Sequence, residues 1–172
     1  MSIDVQRSNL TIYVYKQGLF SFLADNHVID APIASGSFDA LHKSVHLVID
    51  AATIRVLDPH LSTDKRSQVQ ANMSGPQVLD VQKFPTIEFQ STSIQGDGKG
   101  PWTVNGNLTL HGQTHPLSFT LQSDGAGRFT GSAMVRQTAF GITPIKIAGG
   151  AVSVKDEVRV QFDIEVAAAA GT

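Results

Sequence analysis

The sequence predicts an all-β antiparallel fold, a sandwich or a closed barrel, with a single helix. Three observations lead there. Apolar and polar residues alternate with a period of two along most of the 172 residues. Clusters of Gly, Asp, Asn and Ser recur at hairpin spacing between those runs. One window, before residue 75, carries a helical period instead.

The elements follow in order. Leu10, Ile12 and Val14 alternate with Thr11, Tyr13 and Tyr15 as a first strand, and a short turn is expected over residues 18–23. Val45, Leu47 and Ile49 alternate with His46, Val48 and Asp50, and Ile54-Arg55-Val56 reads as a continuation of that ribbon. Ser62 or Thr63 can cap a helix over about residues 64–73, since its side-chain oxygen can accept from the first orphan backbone N–H groups. Val69 and Met73 share one face of that helix, and Gly75-Pro76 ends it. Ile87 and Phe89 follow Pro85 as the next strand. Turns are expected at residues 96–101 and 123–127, with a strand from Phe129 to Val135 beyond. In the last strand Val158, Val160, Phe162, Ile164 and Val166 oppose Arg159, Gln161, Asp163 and Glu165. The alanine tail from Ala167 has nothing to pack against and is expected to fray.

The most informative stretch is residues 104–121. Leu108 and Leu110 share a face of one strand, and Leu117, Phe119 and Leu121 share a face of the next. His111-Gly112-Gln113-Thr114 joins them, with Gly112 supplying the freedom a tight turn needs. Pro116 has no N–H to donate, which places it at the start of its strand. A sheet with one apolar face must cover that face in water.

Composition narrows the function. A chain of this length fits one domain, here 1–172 with an ordered part of about 8–166, and can bury roughly 70% of its unfolded surface. The absence of cysteine excludes disulfides, thiolate catalysis and cysteine-bound metal. A net charge of −2 gives no basic surface for nucleic acid. No apolar run reaches the ~20 residues of a membrane-crossing helix. The first residues lack the features of a secretory leader, so the protein is expected to be cytoplasmic if the chain is complete, or periplasmic if a leader was removed. A homodimer stays open.

Little here suggests catalysis or a metal. His42 and His46 on one strand face would stand about 13 Å apart, too far to share an ion. His111 and His115 flank a turn but lack a third ligand. His27, between polar neighbours, is the one histidine with a candidate orienting carboxylate, Asp25. There is no G-x-S-x-G elbow. The glycines of residues 96–100 precede a strand and not a helix, so they form a hairpin loop and not a phosphate cradle. No cofactor and no metal is expected.

Four ordered blocks resemble the YceI-like family of lipid- or polyisoprenoid-binding proteins. They are Gly36-Ser37-Phe38, the run from Val78 to Phe89 with its Phe84-Pro85-Thr86-Ile87-Glu88-Phe89, the hairpin from Gly106 to Leu117, and Arg136-Gln137-Thr138-Ala139-Phe140-Gly141-Ile142. Residues 61–66 depart from the family's R-D-x-H-L region. The resemblance implies a lipocalin-like barrel of about eight strands, a size whose interior can hold one small ligand. It also implies a non-catalytic carrier or store of a long-chain isoprenoid or fatty-acyl lipid. Alternation and the placing of aromatic residues nominate Phe20, Phe22, Phe84, Phe89, Leu110, Phe119, Phe140 and Phe162 as its contacts. Two other readings stand beside it: a fully packed barrel that binds a partner protein through its loops, and an enzyme that uses His27.

Overall fold

The protein is described as a computed structural model over residues 1–19 and 26–167. Its strands are β1 (Asn9–Val14), β2 (Lys16–Gln17), β3 (His27–Asp30), β4 (Ser35–Asp39), β5 (Ser44–Asp50) and β6 (Arg55–Val56). The helix α1 (Thr63–Ser74) follows, then β7 (Thr86–Gln95), β8 (Lys99–Leu110), β9 (Gln113–Asp124) and β10 (Arg128–Arg136). The last three are β11 (Lys146–Ile147), β12 (Val152–Val154) and β13 (Glu157–Glu165). Among the described residues α1 is the only α-helix, as the single helical window implied. Ser62 caps it, its Oγ accepting from Lys65 N at 3.4 Å, and Gly75 ends it. Much of the turn expected over residues 18–23, with Phe20 and Phe22, lies outside the described residues.

Ten strands form one curled antiparallel sheet in the order β4-β5-β7-β8-β9-β10-β13-β1-β3-β6. A small sheet, β11-β12-β2, stands at one end. The ring is completed by residues that were expected to form a short tail. Ile3 N donates to Gly36 O of β4 at 3.0 Å, while Asp4 N donates to Glu165 O at 2.8 Å. Ala167 N returns a bond to Ser2 O at 2.9 Å. The first residues are therefore a stave between β4 and the end of β13, held there by the burial of Ile3. This closes one end, which we call the narrow end. At the other, wide end, β9 and β10 are registered only over Leu121–Ser123 against Phe129–Gly131. Beyond that the ladder between them does not continue. Pro116 lies in this part of β9, paired with Asn107 of β8, and is not at the strand's first residue.

Two expectations are corrected. Residues 54–56 do not extend the β5 ribbon. Asp50 accepts from Ala52 N at 2.9 Å and starts a single 3₁₀ turn, which redirects the chain so that β6 pairs with β3. His42 is not on a strand. It sits in the β4–β5 turn, bonded to Asp39 at 2.6 Å.

The free edge of β6 is finished by a side chain of α1. Gln70 Oε1 accepts from Val56 N at 2.8 Å, and its Nε2 donates to Ile54 O at 2.9 Å. One amide thus takes the place of a missing neighbouring strand, which answers the usual liability of an exposed edge. Replacing Gln70 with Ala should leave both backbone groups short of a partner and cost about 1–3 kcal/mol, read as a lower urea midpoint.

Two exposed turn carboxylates lie below their ordinary value. Asp39 is held down first by its bond from His42, and Asp124 by the N–H groups of Arg128 and Ala126. Because folding depresses both, the stability they lend is fully present above the ordinary value of 3.8 and is lost as pH falls through the folded value. A variant with both Asp39→Ala and Asp124→Ala should therefore lose less melting temperature than wild type between pH 6 and pH 3.

Candidate functional site

Alternation places one face of every long strand inside. Leu108 and Leu110 of β8, Leu117, Phe119 and Leu121 of β9, and Val160, Phe162 and Ile164 of β13 all line the interior. Arg159 and Gln161 are exposed on the other face of β13. The interior is not filled. It holds a larger cavity of about 200 Å³ toward the wide end and an adjoining one of about 80 Å³ toward the narrow end.

The two cavities share walls at Leu10, Leu47, Phe89, Phe119 and Phe162. Here the Phe119 ring stands 5.6 Å from Phe89 and 5.2 Å from Phe162, centre to centre. This aromatic trio forms a waist. Two glycines make room for it. A Cβ at Gly106 would lie 2.4 Å from Phe89 Cζ and 2.6 Å from Gln90 O, and one at Gly131 would lie 2.8 Å from Phe162 Cζ. The rings rest against the wall where those side chains would be.

Toward the narrow end the lining is aromatic. Phe38, Trp102 and Phe129 pack with centroids 5.2–6.5 Å apart, and Trp102 Nε1 donates to Gly98 O at 3.2 Å. Toward the wide end it is aliphatic, with Ile12, Ile49, Ile87, Leu117 and Val160 among the walls. Gln137 is the only polar residue in the lining of the larger cavity, and its Nε2 donates to Lys155 O at 2.9 Å.

Of the nominated contacts, Phe89, Phe119 and Phe162 lie at the waist and Leu110 lines the larger cavity. Phe20 and Phe22 are outside the described residues. Phe84 and Phe140 pack elsewhere, and the reason is visible. His111 adopts a positive φ of 52° in the two-residue β8–β9 turn and donates from Nδ1 to Phe140 O at 3.1 Å. The Phe84 ring packs against that imidazole at 4.4 Å, tilted by 56°, over Gly112, where a Cβ would lie 2.5 Å from it. His115 meets Phe140 edge-on at 5.2 Å. These two phenylalanines clamp the hairpin turn from outside the lumen. The nominated set includes few of the aliphatic residues that line the larger cavity, which strand alternation alone could have supplied.

Two further histidines are held by carboxylates. His46 pairs with Glu88 at 2.6 Å on the outer face. His27 Nδ1 bonds Asp58 Oδ2 at 2.7 Å, and Asp58 Oδ1 accepts from Val28 N at 2.7 Å. Asp58 is fully buried. It is the orienting carboxylate, while Asp25 lies outside the described residues. Nothing local in the sequence pointed from residue 27 to residue 58, because the pair forms only through the β3–β6 ladder. Among the described residues no three His, Asp or Glu side chains come together as metal ligands.

The YceI-like domain matches residues 2–166. The chain belongs to the YceI-like family. Its relatives include a UPF0312 protein of Shewanella oneidensis, 33% identical over 62% of this chain and 58% of that protein. Another, from Vibrio cholerae, is 29% identical over 73% of this chain and 67% of its own length. The chain thus spans somewhat under two thirds of the Shewanella relative it matches. Among solved structures, Burkholderia cenocepacia BcnA superposes with a TM-score of 0.63 at 21% identity, over 96% of this chain and 99% of that one. A polyisoprenoid binding domain from Saccharophagus degradans gives 0.62 at 14% identity, over 96% and 98%. At these identities both likenesses establish the fold.

The waist gives a direct test. Gly106→Val should drive Phe89 off the wall, costing about 1–3 kcal/mol by overpacking and narrowing the lumen. The loss should show as a lower denaturant midpoint with an unchanged slope.

Proposed function

We propose that this YceI-like chain binds one long-chain amphiphilic lipid, isoprenoid or fatty-acyl, in the lumen and carries or stores it without chemistry. One observation carries the reading: a cavity of about 200 Å³ whose lining is apolar apart from Gln137. Apolar cavities of about 150 Å³ stay dry and take up small hydrocarbons, because water finds no partners there. Burial of a hydrocarbon chain is then favourable by roughly 0.8 kcal/mol per methylene before the costs of association. The same lining argues against catalysis, since it presents neither acid, base nor nucleophile to a chain lying in it. The polyisoprenoid-binding neighbour supports the choice of ligand class.

Net affinity is expected near 0.3 kcal/mol per heavy atom, so a C16 chain should bind with a dissociation constant on the order of a hundred micromolar. Affinity should rise with chain length and level off once the larger cavity is full. Phe119→Ala, which removes the middle ring of the waist, should move that plateau to longer chains, at about 3 kcal/mol in stability. Titration of a C10 to C40 series by calorimetry or fluorophore displacement measures both. Flat, unmeasurable affinity across the series in wild type would contradict the lumen as the site.

A further inference from the structure

The small sheet β11-β12-β2 continues the wall of the larger cavity outward from its wide end. Val14 and Ile142 both line that cavity. Five residues on from Val14 comes Leu19, and five on from Ile142 comes Ile147. In the sheet Ile147 is paired with Val152, and a Cβ on Gly18 would lie 2.3 Å from Ala151 O. Leu19 and Ile147 are thereby brought to the same end of the sheet, beside the turn of residues 148–150. A Cβ on Gly149 or Gly150 would meet nothing within 4 Å, so this turn stands in open space. Val152 is buried, but Ile147 is 49% exposed and Leu19 90%, and among the described residues no large apolar side chain is more exposed than Leu19.

The charge of this region is opposite to that of the whole. The net charge of the chain is −2, yet residues 15–19 and 141–155 contain three lysines, Lys16, Lys146 and Lys155, and no carboxylate. Lys146 and Lys155 are exposed. The next carboxylates along the chain are engaged elsewhere. Asp156 accepts from Thr138 N at 2.8 Å and from Thr138 Oγ1 at 2.6 Å, and Glu157 accepts from Arg136 at 3.4 Å. Among the described residues none of the three lysines enters an ion pair. Exposed aliphatic side chains flanked by lysine match an anionic bilayer, whose headgroups attract the cations and whose interface takes up the apolar groups. A projecting tip is buried most readily by a surface that yields around it, whereas a folded partner would need a matching socket.

We propose that the small sheet is a docking tip that seats the wide end on an anionic membrane surface, with Leu19 and Ile147 in the interface and Lys146 and Lys155 among the headgroups. The tip adjoins the wide end of the larger cavity, so docking brings the lumen up to the phase from which an amphiphile is taken or to which it is returned. That purpose rests on the lumen reading above; the docking itself does not. Two apolar side chains and a few charges make a weak and reversible contact, which suits a carrier that must leave again.

The test floats the full chain with vesicles of phosphatidylcholine alone, and of phosphatidylcholine with one third phosphatidylglycerol. Wild type should associate with the anionic vesicles roughly tenfold more strongly than with the neutral ones, and lose most of that preference at about 0.5 M salt, where charges are screened. Leu19→Ser with Ile147→Ser, and separately Lys146→Gln with Lys155→Gln, should each lower association with the anionic vesicles by roughly tenfold. All four side chains are exposed, so the melting temperature should hold. If the aliphatic pair melts early, the lysine pair decides. Leu41→Ser is the control: Leu41 is 86% exposed in the β4–β5 turn at the narrow end, and its loss should change nothing. Equal association with both vesicles would overturn the tip, as would tip variants that float like wild type or a Leu41→Ser loss as large as theirs. A wild-type dimer that the tip variants turn into monomer, with vesicle association untouched, would give the surface to a second copy and overturn the proposal too. Hexadecanol titrated in solution, without vesicles, keeps the two readings apart. Tip variants should bind it as wild type does, and a wild type that floats but binds no hexadecanol would sink the lumen reading and leave the tip standing.

Discussion

Two glycines on the inner wall, Gly106 and Gly131, decide what the interior of this barrel can be. A strand in a closed sheet projects every second side chain inward, and in a barrel of this girth those side chains can fill the centre. Here Phe89 and Phe162 lie back over glycine, so their rings take up wall and not axis. Phe119 stands between them. The consequence is a lumen that is narrowed at one level and unfilled on both sides of it. Apolar volume in a protein is normally closed by packing, because each unfilled space forfeits dispersion contacts. Keeping it open makes sense where a ligand supplies those contacts.

The ends of the barrel are built by different means, and that asymmetry gives the lumen a direction. At the narrow end the first residues complete the ring, and Phe38, Trp102 and Phe129 pack across it. At the wide end the ladder between β9 and β10 stops, and the hairpin turn is held by a knot of the family's own motif residues: Phe84, His111, Gly112 and Phe140. Those residues resemble a ligand site in sequence because they are aromatic and grouped. In the fold they hold the hairpin that forms part of the wall. Other motif residues, Phe89, Leu108, Leu110 and Leu117 among them, line the lumen itself. The α1 helix contributes through Gln70 and the buried Met73, finishing an edge and covering a wall.

Much of this was legible along the chain, and the exceptions have physical causes. The period-two runs located the inner face of β8, β9 and β13 to the residue, because alternation leaves only two choices of face and water selects one. The helix was legible from Ser62 and Gly75, whose capping roles are local. The redirection at Asp50, the stave formed by Ile3, and the Asp58 partner of His27 were not. Each depends on contacts between segments far apart in sequence, and no local pattern encodes them. The phenylalanines were half legible: Phe89, Phe119 and Phe162 follow strand parity, whereas Phe84 and Phe140 sit off the strands, where parity has no meaning.

The central claim is that the lumen is a container. Native mass spectrometry of the protein purified without detergent, followed by organic extraction and mass analysis of the extract, tests it most directly. The account predicts a single adduct with the mass of a long-chain amphiphile, released on unfolding and recovered in the organic phase at up to one molecule per chain. A bare polypeptide mass that also stays bare after incubation with C16 to C40 lipids would contradict it.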